Sequence, residues 1–591
     1  MKAKKIIFSI LVALLVLNSC DDVEFGNKFL EKEPSVDVTK DTIFGSVELA
    51  TRYLTTGYTT LPYGLNLDFN AKTDKMGMDV LECLSDLNQS YLSWGGANQL
   101  YYNGQYGAAI ENTSSATKYH FTKEQSWVGI RIGWNFIENA DKIPDASDDV
   151  KKQLKAEAKM IIALHYTDMY RHFGGLPWVD KAYKPTDDTN SPRLTSLQTM
   201  ENIVKLLDEA AEDLPLVIAN LSSDDGRFTK ASALGLKARL LLFAASPLFN
   251  DSVPYYEGEG EGDRKAIDDK LVWHGSKDLN LWKRAADAAK AVLDLGAYQL
   301  VSTGNYRKDF QNAYYKRGNQ EILISTRTRF RSGGYWAANY YFYQSAGGYG
   351  TACPTKEYVD MFPMADGTPF DPITGYNSQN PWENRDPRLY ETVLVNGDAY
   401  QGRTAELWIG GLERTTLAAN GAKTGFGLRK FLLDRDNATS TGSIVQWPYL
   451  RLAEIYLSYA EALNEFNGSP TDEAFDAVDI VRARVGLEGL SRVKYNTKET
   501  FREAVLTERA LEFGFEEVRW FDLIRWKKEA FFKQPLHGVN TTKNPNGTFS
   551  YEIVELPARF WKNNWSTKWY LSAFPPNEVN KGYGLVQNPG W

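Results

Sequence analysis

The stretch ERALEFGFEEVRWFDLIRW, residues 508–526, contains the most specific pattern of apolar and charged residues in this chain. It lies within two consecutive segments, 496–513 and 515–528, whose apolar residues recur at helical spacing. Asn496 is a suitable N-cap for the first segment, and Glu499 three residues later completes a capping-box pattern. The stretch therefore predicts a pair of helices near the C-terminus.

The charged residues of the second segment are spaced so that they can pair with one another. Asp522 lies three residues from both Arg519 and Arg525, a spacing at which side chains on one helix are neighbours. We therefore predict that Asp522 pairs with one of these arginines. Together with Trp520, these residues should maintain the fold rather than contact a ligand.

Three further pairs of segments upstream have the same helical periodicity. Their alanines and their paired organisation resemble the tetratricopeptide repeat, in which two helices pack closely and successive pairs stack. The sequence therefore predicts a mainly α protein with a tetratricopeptide-like scaffold of four helix pairs. The upstream pairs are 151–173 with 196–214, 230–245 with 281–295, and 449–463 with 472–485.

Two loop-rich regions interrupt the helical pattern. Residues 298–447 contain one predicted strand, 321–326, and are otherwise rich in Gly, Asn and Tyr, and residues 61–119 have the same character. Long loops within an ordered protein usually carry function, so we expect the two regions to pack together on one side of the scaffold. The chain then divides into 20–297 with two helix pairs, the 298–447 insertion, and 448–591 with the other two pairs.

The N-terminus is typical of a bacterial secretion signal. Three lysines precede an apolar run at 6–17, which is too short to span a bilayer because a spanning helix takes about 20 residues. The signal, residues 1–19, is followed by Cys20 in a Leu-Asn-Ser-Cys sequence that resembles the lipobox of bacterial lipoproteins. Three of the next four residues are acidic, which resembles the surface-export signal of Bacteroidetes lipoproteins. We therefore expect a lipid anchor on Cys20 and exposure on the outer face of the outer membrane.

Composition excludes some classes of function. The formal net charge of −8 disfavours nucleic-acid binding, which needs clustered Lys and Arg. Besides Cys20 the chain has only Cys83 and Cys353. A disulfide between them is chemically permitted outside the cytoplasm, but two buried, unreactive thiols are the interpretation we favour.

The 508–526 stretch and the C-terminal residues 574–591 resemble the SusD/RagB family of outer-membrane lipoproteins from Bacteroidetes. Shorter stretches at 173–177, 246–250 and 449–462 agree with the same family. The resemblance implies a SusD-like fold, in which the helical scaffold of four pairs carries a loop-rich, partly β binding face. It also implies a partner, a SusC-like TonB-dependent transporter over which the lipoprotein sits.

No residue pattern for catalysis stands out. The five histidines form no His-Glu-x-x-His pair, and zinc-type cysteine spacing, a G-x-S-x-G elbow and a phosphate-binding loop are all absent. His165 lies on an apolar helix face, where a hydrogen-bonded core histidine is the usual role. We predict no enzymatic activity and no cofactor. Asp434, Asp436 and Asn437 leave a structural calcium ion as a weaker alternative, since the run lacks the glycine and closing glutamate of an EF-hand loop.

Two loop stretches combine aromatic and amide side chains as sugar-binding sites require. A sugar ring lays its C–H face on a flat aromatic ring, while its hydroxyls pair with amide, carboxylate and guanidinium groups. In the family, aromatic residues from loops in these two parts of the chain form the glycan platform. The candidate glycan-binding residues are Trp94, Tyr101 and Tyr102 in the first stretch, Trp336, Asn339, Tyr340, Tyr341 and Tyr349 in the second, and more weakly Trp273 in a third insertion.

The favoured interpretation is a non-catalytic surface protein that captures an oligosaccharide or polysaccharide and delivers it to the transporter. A peptide-binding RagB-type protein is the first alternative, because aromatic loops also suit a peptide. A surface glycoside hydrolase is the second. Hydrolysis needs two carboxylates about 5–10 Å apart, and the chain has 75 acidic residues.

The lipid anchor gives the first testable prediction. We expect Cys20→Ala to move the protein from the membrane fraction to the soluble fraction, because the apolar run at 6–17 is too short to hold it in a bilayer. Fractionation of cells followed by immunoblotting measures this. A Cys20→Ala protein that still sediments with outer membranes in high salt, in cells without the transporter, would contradict the lipoprotein interpretation.

Overall fold

The protein is described here by a computed structural model that covers residues 40–65, 76–77, 79–92, 95–111, 116–122, 125–327, 352–371, 377–414, 421–432 and 446–591. Its helices are α1 Lys40–Ile43, α2 Val47–Tyr58, α3 Ser126–Asn139, α4 Asp148–Phe173, α5 Ser196–Asp213, α6 Leu221–Asp224, α7 Lys230–Ala245, α8 Glu261–Asp268, α9 Asn280–Leu293, α10 Tyr306–Tyr315, α11 Lys356–Met361, α12 Pro387–Thr392, α13 Leu452–Asn467, α14 Asp472–Ala483, α15 Lys498–Phe513, α16 Arg519–Arg525, α17 Glu529–Lys533, α18 Trp561–Asn564 and α19 Pro576–Val579. Its strands are β1 Asn88–Ser90, β2 Ile322–Thr326, β3 Ala352–Pro354, β4 Val393–Leu394, β5 Ala399–Tyr400, β6 Arg403–Thr404, β7 Gly427–Leu428, β8 Trp447–Arg451, β9 His537–Lys543 and β10 Phe549–Glu555.

The helices pack as a succession of neighbouring pairs, which confirms the predicted helical scaffold. The four predicted pairs correspond to α4 with α5, α7 with α9, α13 with α14, and α15 with the short α16. An additional pair, α2 with α3, packs against α4 and extends the array. Sequence analysis missed this pair because a long loop region separates its two helices. The fold is therefore mainly α, as predicted.

Glycines allow the first helices of the array to approach closely. A Cβ atom built on Gly129 in α3 would lie 2.3 Å from Nε2 of His165 in α4, and one on Gly133 would lie 2.6 Å from the Ile162 side chain. His165 is buried, and its Nε2 lies 2.9 Å from the Thr60 hydroxyl. The prediction of a hydrogen-bonded core histidine is confirmed.

The strands form five small two-stranded antiparallel ladders rather than one sheet in the described ranges. The predicted strand at 321–326 is present as β2, and it pairs with β8, which leads directly into α13. Buried apolar residues from all three predicted regions of the chain form one continuous core. Within the described ranges, no helix is both long and apolar enough to cross a membrane.

The structure corrects the predicted N-cap of α15 and confirms the favoured state of the two cysteines. The N-cap of α15 is Thr497, which forms a capping box with Thr500, so the assignment to Asn496 and Glu499 is wrong by one residue. Cys83 and Cys353 are both buried and form no disulfide with each other, as favoured. Burial raises the pKa of the Cys353 thiol to about 11, which keeps it protonated and unreactive at neutral pH.

A buried cluster of ion pairs joins the loop-rich insertion to α15. The carboxylate of Glu512 accepts hydrogen bonds from Arg388 at 3.1 Å, from Arg451 at 2.9 Å, and from Arg484. Arg451 also bonds to Glu321, the residue before β2, at 2.7 Å. The three guanidinium groups hold the pKa of Glu512 far below its usual range. Every member of this cluster is buried, so it clamps β2, β8 and α12 onto the scaffold.

A second buried cluster surrounds the arginines of α16. Arg525 pairs with Asp522 at 2.8 Å, which confirms one of the two predicted partners, and Arg509 of α15 pairs with the same carboxylate at 2.8 Å. Arg519, the alternative partner, does not pair with Asp522 in the described structure. Arg519 instead donates to both oxygens of Asp86 at 2.9 and 2.7 Å. The motif therefore fastens the 61–119 region to the scaffold as well as bracing α16.

The α16 cluster generates the second prediction. Arg525→Ala should lower the free energy of unfolding by roughly 3–5 kcal/mol, because it leaves the buried carboxylate of Glu461 without a guanidinium partner and removes one of the two guanidinium partners of Asp522. Urea denaturation followed by circular dichroism measures the change.

The matched control is Arg492→Ala. Arg492 also pairs with two carboxylates, those of Asp476 and Asp479, but its side chain is 45% exposed, so its loss should cost less than about 1 kcal/mol. Equal unfolding midpoints for Arg525→Ala and the parent protein would show that the buried cluster does not stabilise the fold.

Candidate functional site

The two loop-rich regions meet in a short antiparallel ladder between β1 and β3. Ser90 lies opposite Ala352, and Gln89 lies opposite Cys353. Thr355, just after β3, extends the contact because its backbone N–H donates to the Leu87 carbonyl at 3.0 Å. The expectation that the two regions pack together is confirmed for their described parts.

This ladder joins β1, in the first aromatic stretch, to the residues that follow the second aromatic stretch in the sequence. Ser90 precedes Trp94 by four residues, and Ala352 directly follows the segment 328–351. At the other end of that segment, the Thr326 hydroxyl donates to the Pro62 carbonyl at 2.7 Å. Both ends of 328–351 are thus joined to the 61–119 region.

Several predicted residues lie outside the described residues, and their assignments stay predictions. They are Cys20, the glycan-binding candidates Trp94, Trp336, Asn339, Tyr340, Tyr341 and Tyr349, and the calcium candidates Asp434, Asp436 and Asn437. Among the described residues, no group of three or more His, Cys, Asp or Glu side chains is placed to hold a metal ion.

Tyr101 and Tyr102 do not face a ligand, and their assignment to the glycan platform is wrong. Tyr101 is 1% exposed and its ring stacks on that of Tyr106 with centroids 4.6 Å apart. The Tyr102 hydroxyl donates to the Cys83 carbonyl at 2.6 Å and accepts from the Ser90 N–H at 3.1 Å. Both tyrosines are therefore core residues, and Tyr102 supports β1 through its hydrogen bond with Ser90.

Trp273 lies on the scaffold and keeps part of its surface exposed. Its Nε1 donates to the Ile267 carbonyl of α8 at 3.0 Å, and its own carbonyl accepts from the Ser196 hydroxyl at the start of α5 at 2.9 Å. These bonds explain its position without a ligand. Its part in binding stays a prediction.

Tyr91 is an aromatic residue of the first stretch that the candidate set omitted. It follows β1 directly, and its side chain is only partly buried, whereas Tyr101 and Tyr102 are buried. The Lys423 Nζ lies 5.2 Å from the centre of its ring. Tyr91 therefore presents a ring beside the ladder, close in sequence to Trp94.

Two charged residues, the partly buried Arg559 and the buried Asp79, hold β1 in place, and sequence reasoning missed both. Arg559 donates to Gln89 Oε1 at 3.0 Å and to the Ser85 carbonyl at 2.7 Å. Asp79 accepts from the Ser90 hydroxyl at 2.6 Å and from the Ala97 N–H at 2.9 Å. Arg559 lies 470 residues from Gln89, so no local pattern indicates the pairing. The two partners of Asp79, Ser90 and Ala97, precede and follow Trp94 in the sequence. Asp79 therefore ties together the two ends of the segment that contains Trp94.

Burial raises the pKa values of the carboxyl groups next to β1. It raises the pKa of the Asp79 carboxyl to about 7, against the lowering effect of the two hydrogen bonds. The pKa of Glu82, which accepts from the Glu517 N–H at 2.6 Å, is raised to about 8 by burial and by the neighbouring carboxylate of Glu517. The buried carboxyl groups of Asp79 and Glu82, next to the β1–β3 ladder, therefore ionise near neutral pH.

Comparison with known proteins supplies the family. The sequence model of the SusD family matches residues 316–591, which include β2, the buried Glu512 cluster and the 508–526 stretch. Residues 316–591 belong to the SusD/RagB family. The SusD-like protein P38 of Formosa agariphila is 23% identical to this protein over 90% of this chain and 93% of its own length.

Solved SusD-like structures share the fold. A SusD-like protein from Bacteroides fragilis NCTC 9343 superposes with a TM-score of 0.71 at 23% identity, covering 95% of this chain and 100% of its own. A structure described as a SusD-like carbohydrate-binding protein from the same strain gives a TM-score of 0.65 at 20% identity, covering 91% of this chain and 99% of its own. The chain therefore has a SusD-like fold along nearly its whole length.

The raised pKa of Asp79 generates the third prediction. The pKa of Asp79 is raised above the ordinary value of 3.8 only in the folded protein. The stabilisation that protonated Asp79 gives the fold is therefore complete below pH 3.8 and is lost as the pH rises through about 7. Asp79→Asn should therefore gain stability relative to the parent protein as pH rises from about 4 to about 7. Thermal unfolding across this range measures the difference.

Asp141→Asn is the matched control, because the Asp141 side chain is 77% exposed and pairs only at the surface with Lys155. Its midpoint should follow that of the parent protein at every pH. A constant difference between Asp79→Asn and the parent across the range would contradict the role assigned to burial.

Proposed function

We propose that this SusD-family protein is a non-catalytic binding protein that captures oligosaccharides or polysaccharides at the bacterial surface. The observation that carries the proposal is the β1–β3 ladder, in which Ser90 lies opposite Ala352. It joins the two stretches of the chain that combine tryptophan and tyrosine with amide side chains. The structural neighbour described as a carbohydrate-binding protein supports the same ligand class.

The proposed platform combines aromatic rings from both sides of the ladder. Trp336 lies two residues after the glycine pair 333–334 and is followed by Asn339, Tyr340 and Tyr341, which supply polar partners for sugar hydroxyls. On the other side are Trp94 and the partly exposed Tyr91. A sugar chain bound across the ladder would stack on rings from both regions.

The carboxylates next to the ladder support a non-catalytic role. A glycosidase needs two carboxyl groups that face the bond to be cleaved. Asp79 and Glu82 are buried and bonded to the backbone and to Ser90, and Asp86 is paired with Arg519. These three carboxylates are already bonded within the protein and hold the fold together, which favours binding over hydrolysis.

We further propose that the protein is lipid-anchored through Cys20 to the outer membrane and faces outward. In this arrangement it passes its ligand to a SusC-like TonB-dependent transporter. The lipobox-like sequence before Cys20 and membership of the SusD/RagB family support this placement.

Trp336 provides the fourth prediction. We expect Trp336→Ala to weaken glycan binding at least about tenfold, because truncating a central aromatic contact commonly costs more than about 1.4 kcal/mol. Its thermal stability should be nearly unchanged. Isothermal titration of the soluble mature protein against plant, host and microbial glycans and against peptides, with an assay for reducing ends, measures the binding and any hydrolysis.

Tyr306→Ala is the matched control, since Tyr306 is 46% exposed on α10 and should leave glycan affinity unchanged. Parental glycan affinity in Trp336→Ala would place the platform elsewhere. Binding of peptides but no glycans would favour the RagB-type alternative, and release of reducing ends would favour a hydrolase.

A further inference from the structure

A pocket separate from the β1–β3 ladder lies between α2 and the turn that follows α6. It has a volume of about 360 Å³, which lies within the range of about 300–1,000 Å³ that is usual for small-ligand sites. Its floor contains Leu54, Leu61 and Tyr58. The Tyr58 ring stacks on Phe228 with centroids 4.8 Å apart, so the ring is fixed in position.

Hydroxyl and carboxylate groups line the rim of this pocket. Thr51 and Thr55 lie on one face of α2 because they are spaced by four residues, and Thr59 follows directly after the helix ends. Ser223 and Asp224 line the opposite side. The pocket therefore combines an apolar floor that includes a flat ring with polar groups at its edge, which is the composition that a sugar ring requires.

The charges of the pocket are already paired with one another. Arg227 donates to Glu157 at 2.6 Å and to Asp224 at 3.1 Å, and Arg327 pairs with Asp225 at 2.6 Å. The lining thus contains three carboxylates and two guanidinium groups, and each guanidinium already has an anionic partner. Asp225 also pairs with Arg317 at 3.2 Å, so three guanidinium groups balance the three carboxylates. A charged ligand would have to break one of these ion pairs, so the pocket suits a neutral polar ligand.

Arg327 has a donor that remains available. Its Nε is buried and has no hydrogen-bond partner in the described part of the chain. A buried donor without a partner is costly, and a ligand hydroxyl can satisfy it. Gly226 makes room for the guanidinium, since a Cβ there would lie 2.9 Å from Arg327 Cζ and its φ is +92°.

We infer that this pocket binds one neutral sugar unit and forms a second subsite for the captured glycan. Arg327 links it to the proposed platform, because this residue is followed directly by the segment that contains Trp336. The inference rests on the proposed function, since the sugar unit belongs to the glycan held by the aromatic loops. The paired charges exclude uronic acids and other anionic sugars from this subsite.

The test isolates the pocket by using variants that also carry Trp336→Ala. Thr55→Trp places an indole over the pocket, and Thr56→Trp is the matched control because Thr56 is exposed but does not line it. The probes are methyl glucoside, methyl galactoside, methyl mannoside and glucuronate, measured by saturation-transfer NMR. Circular dichroism confirms that both variants fold.

We expect at least one neutral glycoside to receive saturation from the Thr56→Trp protein. The saturation transferred to that glycoside should fall by more than half in the Thr55→Trp protein. Glucuronate should receive no saturation from either protein. Equal transfer in the two variants, no transfer in either, or a preference for glucuronate would overturn the subsite. The proposed function is judged separately by the glycan panel with an otherwise native chain. Glycan binding there with no effect of Thr55→Trp would remove only the subsite.

Discussion

The convergence of three guanidinium groups on the carboxylate of Glu512 is the interaction on which the rest of this structure depends. Ionised groups lose hydration when buried, and they are tolerated only where each has partners in good geometry. Arg388, Arg451 and Arg484 meet that condition by coming from three different segments. Because β2 begins beside this cluster and leads to the 328–351 segment, the cluster fixes where the proposed binding face starts.

The aromatic residues serve two purposes that composition alone does not separate. Many of them build a continuous interior near the C-terminus, where Trp561 lies between Trp520 at 6.0 Å and Trp565 at 5.2 Å between ring centroids. Tyr101 reaches the same group through Trp561 at 5.9 Å. Tyr101 is thus part of the C-terminal aromatic core, whereas Tyr91 beside β1 keeps part of its ring exposed.

Much of the fold could be predicted from the sequence because helical periodicity is a local property. The four predicted pairs were found from the spacing of apolar residues, whereas α2 and α3 were missed because their pairing spans a long loop. The site was harder to predict. Asp86 and Arg519 are 433 residues apart, and the burial of Tyr102 depends on Arg559, whose guanidinium lies 4.6 Å from its ring. No local pattern shows such a contact, and a tyrosine in a polar loop looks the same in the sequence whether it is buried or exposed.

The two shielded thiols have a practical consequence for spectroscopy. Cys83 and Cys353 are inaccessible, and burial raises the pKa of both well above the neutral range, so alkylating reagents should leave them intact in the folded protein. A soluble version that begins after Cys20 would then have no reactive sulfur of its own. One cysteine introduced at a chosen surface position could carry a fluorophore or spin label without first removing the native ones, and distances from the scaffold to the loops could be followed as ligand is added.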